Sequence, residues 1–139
     1  MNNNYYKKLL KLAKKSLKCG DVPVGAIIVH NNKIISEGYN KREKDNLTIN
    51  HAEIVSIIKA NKKLKNYFLY DCDMYVTLKP CEMCMKVINN ARLNNIFYIL
   101  DKPESKKEYS KTNIVQLNDI DENEYKNLLG KFFNKLRNK

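Results

Sequence analysis

The chain contains no tryptophan and only four glycines and three prolines in 139 residues. No stretch rich in glycine, proline or serine interrupts it, which excludes a flexible linker, and no internal repeat is present. No apolar run approaches the roughly 18 residues that cross a bilayer. The opening residues Met1, Asn2, Asn3, Asn4 and Tyr5 lack the charged-then-apolar pattern of a secretory signal. The expectation is a soluble, cytoplasmic protein with no membrane partner. Arginine is also scarce. Of 26 basic residues, only Arg42, Arg92 and Arg137 are arginines, while asparagines number 20. Drift toward A/T-rich codons produces that composition whatever the function, so the net charge of +11 permits an RNA partner without establishing one.

What is present describes a folded globule. Hydrophobic residues make up 43% of the chain and charged residues 29%, outside the profile of disorder. The length fits one domain, residues 1–139, with a core of useful size. Of four cysteines, Cys81 and Cys84 form a C-x-x-C pair, whereas Cys19 and Cys72 stand alone and read as buried, inert thiols.

Residues 5–18 place Tyr6, Leu9, Leu10, Ala13 and Leu17 on one face with lysines opposite, which predicts an amphipathic helix stopped by Gly20. Val24 to Val29 and Lys33 to Tyr39 read as strands of a hairpin. Asn31 and Asn32 supply its turn, because asparagine tolerates the positive φ that tight turns require. Further strands are expected at Asp73–Leu78, Ile96–Leu100 and Ile114–Leu117, and helices at Ala52–Ala60, Glu82–Ala91 and 121–137. This alternation predicts an α/β fold, a mixed sheet covered by helices on both faces. Most tyrosines and phenylalanines fall on faces expected to be core.

Two short motifs carry the chemistry. His51, Ala52 and Glu53 open one helix, and Pro80, Cys81, Glu82, Met83 and Cys84 open another. Cysteines three apart at a helix start face the same way and can reach one ion. A helix N-terminus favours thiolates, and Pro80 suits a helix's first position. A catalytic zinc takes three protein ligands and keeps a place for water, and His51, Cys81 and Cys84 supply three. Two thiolates cancel the dication, whose Lewis acidity brings the pKa of water toward neutrality. Glu53 is placed to move a proton from that water to a ring nitrogen and a departing amine. A lone C-x-x-C is more often structural or redox-active. A structural site would want a fourth ligand, yet the other histidine, His30, sits beside a turn and reads as a surface residue. Both motifs together, in this order, are specific for a nucleobase deaminase.

At this point the chain resembles the zinc-dependent cytidine/deoxycytidylate deaminase superfamily and, within it, the tRNA adenosine deaminases. The H-x-E…P-C-x-x-C signature is that superfamily's known hallmark. Val22 to Ala26 is similar to the V-P-V-G-A segment of the tRNA enzymes, Glu37 to Asn40 to their E-G-W/Y-N, and Tyr75 to Leu78 to their Y-V-T-L. Leu128, Leu129, Phe132, Phe133 and Arg137 resemble their C-terminal aromatic helix. The resemblance implies a cytidine deaminase-like three-layer α-β-α fold with a five-stranded mixed sheet. It implies zinc on His51, Cys81 and Cys84, with Glu53 as general acid/base. Asn40 would hydrogen-bond the flipped base, and Ala52 and Val24 would shape its pocket. The implied substrate is adenosine at the wobble position of a tRNA anticodon stem-loop, and the implied assembly is a homodimer.

Three departures stand out. Lys79 replaces an acidic residue before Pro80, residues 102–110 carry no glycine where the family is glycine-rich, and residues 47–50 lack the usual Asp-Pro-Thr. The competing readings are a deaminase of a free nucleobase or nucleotide and a non-catalytic RNA-binding partner subunit.

Overall fold

The computed structural model describes residues 1–101 and 110–137, with the Arg137 side chain, Asn138 and Lys139 outside the description. The departure at 102–110 therefore lies outside the described residues except for Ser110. Ten elements follow in order: α1 (Asn3–Lys18), β1 (Gly25–His30), β2 (Lys33–Tyr39), α2 (Arg42–Asp45), α3 (Ala52–Leu64), β3 (Cys72–Leu78), α4 (Glu82–Asn90), β4 (Asn95–Leu100), β5 (Asn113–Gln116) and α5 (Asn123–Arg137).

The strands form one mixed sheet in the order β2-β1-β3-β4-β5. β1 runs antiparallel to β2 and β3, whereas β3, β4 and β5 are parallel. The β1–β2 turn forms where expected, with Asn31 and Asn32 at φ 51° and 62°. α1 stops as predicted, Gly20 adopting φ 77° just past the cap.

Alternation along the strands sends side chains to two cores, one on each face. On one side Ala26, Ile28, Met74, Val76 and Ile96 pack with Ile54, Ile57, Cys84 and Ile88 of α3 and α4. On the other, Ile27, Val29 and Ile99 pack with Leu9, Leu12 and Ala13 of α1 and with Tyr125 and Leu128 of α5. The layers are thus α3/α4, sheet and α1/α5, the three-layer arrangement expected. Burying each leucine of the α1 stripe contributes roughly 1.5–3 kcal/mol over leaving it exposed.

Gly38 fixes how closely α3 approaches the sheet. A β-carbon there would sit 2.5 Å from Ala52 O, 2.9 Å from Ser56 N and 3.1 Å from Val55 Cβ. None of those atoms can swing aside without moving α3 itself. Gly38→Ala is therefore expected to cost about 1–3 kcal/mol through overpacking, read as a lower urea midpoint. An unchanged midpoint would mean that α3 has room to spare.

Several details differ from expectation. α3 runs on past Ala60 to Leu64, where Asn61, Lys62 and Lys63 carry no apolar signal. α2 escaped prediction because four polar residues offer no periodicity. Pro80 precedes the α4 cap instead of opening the helix, since Cys81 takes the extended cap conformation at φ −72°, ψ 171°. His30 is half-buried at the end of β1, its Nδ1 3.3 Å from Asp71 O and 3.6 Å from Cys72 Sγ. Cys72 is buried, and burial raises its pKa, which keeps it a thiol; Cys19 is only half-buried. Tyr67 and Tyr70 are exposed, at 74% and 56%, and each ring lies tilted against Phe68 in the α3–β3 connection.

Candidate active site

The topology brings one end of each central strand to a common edge. Val24 lies just before β1, Asn40 just after β2, Lys79 just after β3 and Asp101 just after β4. The N-termini of α3 and α4 open at the same edge, the usual place for a ligand crevice in such sheets. His51 caps α3 and Cys81 caps α4, both with extended backbone, so each side chain leans over its helix start.

These two residues meet Cys84, one turn into α4. The ligand atoms of His51, Cys81 and Cys84 lie within 4.8 Å of one another, and His51 Nδ1 is 3.8 Å from Cys81 Sγ. Cys84 is fully buried, and its partners are half-buried. Hydrogen bonds from the Cys84 thiol and the His51 ring pull the Cys81 pKa down to about 3. The His51 pKa is raised in return, chiefly by its hydrogen bond to Cys81. Cys84 is pushed far up, first by sharing its proton with Cys81, then by burial and the nearby Glu53 charge. A dication placed among these groups would relieve that conflict by replacing the protons. One imidazole and two sulfurs form a donor set suited to a borderline-soft metal. No fourth histidine, cysteine, aspartate or glutamate joins the group among the described residues.

Beside this group lies a cleft of about 450 Å³, inside the roughly 300–1,000 Å³ range of small-molecule sites. His51, Glu53, Asn40, Val22, Val24 and Leu78 line it, together with Arg42, Lys79, Asp101, Leu129 and Phe133. Glu53 is 4% exposed, so its carboxylate works largely away from bulk water. Asn40 accepts a hydrogen bond at Oδ1 from the Ala52 backbone N–H at 2.8 Å, which leaves its amide nitrogen to donate to a ligand. Ala52 itself is fully buried and is not among the residues lining the cleft; its backbone N–H holds the Asn40 side chain. The six other residues read from the sequence come together here.

Arg42 and Asp101 were missed as lining residues, and no local pattern marks them; Val22 opens the V-P-V-G-A segment but was not read as a pocket residue. Leu129 and Phe133 carried a readable signal, since a four-residue spacing on α5 puts both on one face. Their wall is pinned from behind. Tyr125, fully buried, donates from its hydroxyl to Pro23 O at 2.7 Å, tying α5 to the segment that carries Val22 and Val24. Asp21, also buried, accepts from the Glu43 backbone N–H at 3.0 Å and so holds the turn bearing Arg42.

Comparisons with known proteins agree with this geometry. The chain is 39% identical over 94 residues to the tRNA-specific adenosine deaminase of Streptococcus pyogenes serotype M18 (strain MGAS8232). That match covers 68% of this chain and 59% of the streptococcal protein, so the chain spans less than two thirds of that relative's length. A solved structure from work on A-to-I editing by tRNA:A34 deaminases superposes with a TM-score of 0.82 at 25% identity. It covers 92% of this chain and 100% of that one, and its fold is the cytidine deaminase-like one described above. The guanine deaminase of Bacillus subtilis superposes with a TM-score of 0.68 at 38% identity, over 73% of this chain and 66% of that one. The sequence pattern of the MafB19-like deaminases matches residues 1–137, a range that includes the sheet, the cleft and the His51/Cys81/Cys84 group. The chain belongs to the MafB19-like deaminase family.

Proposed function

We propose that this protein is a zinc-dependent deaminase that hydrolyses adenosine to inosine at the wobble position of a tRNA anticodon. The observation that carries the reading is a three-ligand metal group and a buried carboxylate, Glu53, sharing one cleft. Zinc held by His51, Cys81 and Cys84 supplies the Lewis acidity that makes water a nucleophile near neutral pH.

The chain's own residues do the rest. Val22, Val24 and Leu78 provide apolar walls for an extruded purine, and the Asn40 amide nitrogen donates to a ring acceptor. Glu53 accepts a proton from the attacking water as its oxygen bonds to C6 and delivers it to N1. It then carries the second water proton to the amine, so the C6–N bond breaks and ammonia leaves. Both water protons are accounted for, one on inosine and one on ammonia.

A tRNA is favoured over a free base by the likeness to relatives named tRNA-specific adenosine deaminase and by the α5 wall. Phe133 is 49% exposed at the rim, a place for a neighbouring nucleotide to rest. The B. subtilis likeness motivates the second reading, a guanine deaminase. Side-by-side assays on an anticodon stem-loop and on free guanine, cytosine and dCMP separate them; turnover of the small molecules alone would overturn the first. A tRNA substrate supports the cytoplasmic location expected from the sequence. No helix among the described residues is long and apolar enough to cross a membrane. Leu47, Ile49 and Ile58, exposed at 51%, 50% and 40% on α3 and the segment leading to it, support a homodimer in which a second copy covers them.

Zinc affinity should rise with pH. Ligation needs neutral imidazole and two thiolates, while the raised His51 and Cys84 pKa values keep protons on the group. Calorimetry in buffers of different ionisation enthalpy should show proton release, and Kd should fall from about pH 6 to 8. A pH-independent Kd without proton release would contradict this assignment of protons.

A further inference from the structure

The floor of the cleft is suited to an uncharged purine, yet its wall carries cations that such a base does not need. Lys79 leaves β3 two residues before Cys81, and its backbone N–H donates to Leu100 O at 2.9 Å, which anchors it where β3 and β4 end. Its side chain lines the cleft and is only 20% exposed. The ammonium lies 3.9 Å from Asp101 Oδ2, beyond hydrogen-bond length, and 5.8 Å from the Tyr98 ring centroid. Arg42, exposed, is the other Lys or Arg lining the cleft among the described residues.

A half-buried ammonium in a loose pair with an exposed carboxylate can exchange that partner for a stronger one. An ammonium binds phosphate as a compact point charge with three rotatable donors, and needs no fixed fork geometry to do so. Two thiolates would cancel a dication at the metal group, which leaves Glu53 and Asp101 as the negative charges of the cleft, opposed by the cations Lys79 and Arg42. We propose that Lys79 is a substrate-binding residue that leaves Asp101 to grip a backbone phosphate beside the nucleotide whose base enters the cleft. The ligand class is then a polynucleotide phosphodiester, and the sequence departure at position 79 becomes a specificity element of this chain. Asp101 parks the ammonium over the cleft before substrate arrives. The inference rests on the RNA reading above and deepens it.

The test uses the zinc-loaded full chain carrying Glu53→Gln, so that binding is read without turnover. Its affinity for an anticodon stem-loop oligonucleotide is measured across a salt series, with and without Lys79→Met. Removing a single phosphate-binding ammonium should lower the slope of log affinity against log salt by about 0.7–0.9, equivalent to about five- to eightfold weaker binding at 0.1 M salt. Lys79→Arg should restore the slope. With Glu53 intact, the penalty on stem-loop RNA should fall on KM more than on kcat. An unchanged slope and affinity would overturn the proposal. So would a fall in kcat alone, which would assign Lys79 to the metal loop, or an effect confined to free AMP, which would assign it to mononucleotides. If the wild-type protein makes no inosine in RNA, the functional reading fails on its own, while the binding series still reports on Lys79.

Discussion

Replacing Glu53 with glutamine should lower deamination by about 10²- to 10⁴-fold, the range general acid–base groups supply. Glutamine keeps the shape and some hydrogen bonding of the side chain but cannot cycle a proton. Because Glu53 lines the cleft without belonging to the metal group, zinc content and thermal stability should remain close to wild type. That combination separates the proton shuttle from a scaffold role. If the variant retained full activity, proton transfer would have to run through another group; if it lost deamination yet kept its biological activity, the non-catalytic reading would gain ground. The 4% exposure of Glu53 makes solvent a poor substitute, so added small carboxylic acids should restore little activity.

The second large effect is expected at Cys84. Its sulfur is fully buried between α4 and the sheet and is one of three donor atoms placed to hold a single ion. Cys84→Ala should abolish stoichiometric zinc binding and, with it, activity, because two remaining ligands no longer define the site. The fold should also weaken. A ligand that binds only the native state stabilises it by mass action, so the variant loses that contribution whenever zinc is present. Wild-type protein treated with a chelator should show the same loss, reversed by adding zinc back. Full activity in chelator-treated protein, with metal content verified as nil, would rule the metal out of the chemistry.

Much of this site was legible from residue order alone. His51 and Glu53 stand two apart at one helix start, Cys81 and Cys84 three apart at another, and short spacings of this kind survive any uncertainty in tertiary arrangement. The hairpin was legible because Asn31 and Asn32 tolerate positive φ, and β3 because Tyr75, Val76 and Thr77 are strand formers flanked by polar segments. The rim was not. Arg42 and Asp101 come from distant segments, after β2 and after β4, that meet only because strand order puts those ends at one edge. No periodicity in either of them reports that meeting. The partnership of Lys79 with Asp101 was hidden for the same reason, since parallel pairing of β3 with β4 is what aligns the two strand ends. Tyr67 and Tyr70 are among the aromatics outside the core, each tilted against Phe68 at the surface.

The most direct test is to incubate tRNA with zinc-loaded protein in water enriched in oxygen-18, then digest the RNA and weigh its nucleosides. Inosine carrying one heavy oxygen, at the first anticodon position and absent with Glu53→Gln, is the predicted result. Unaltered adenosine there, from protein with its metal site filled, would contradict the central claim.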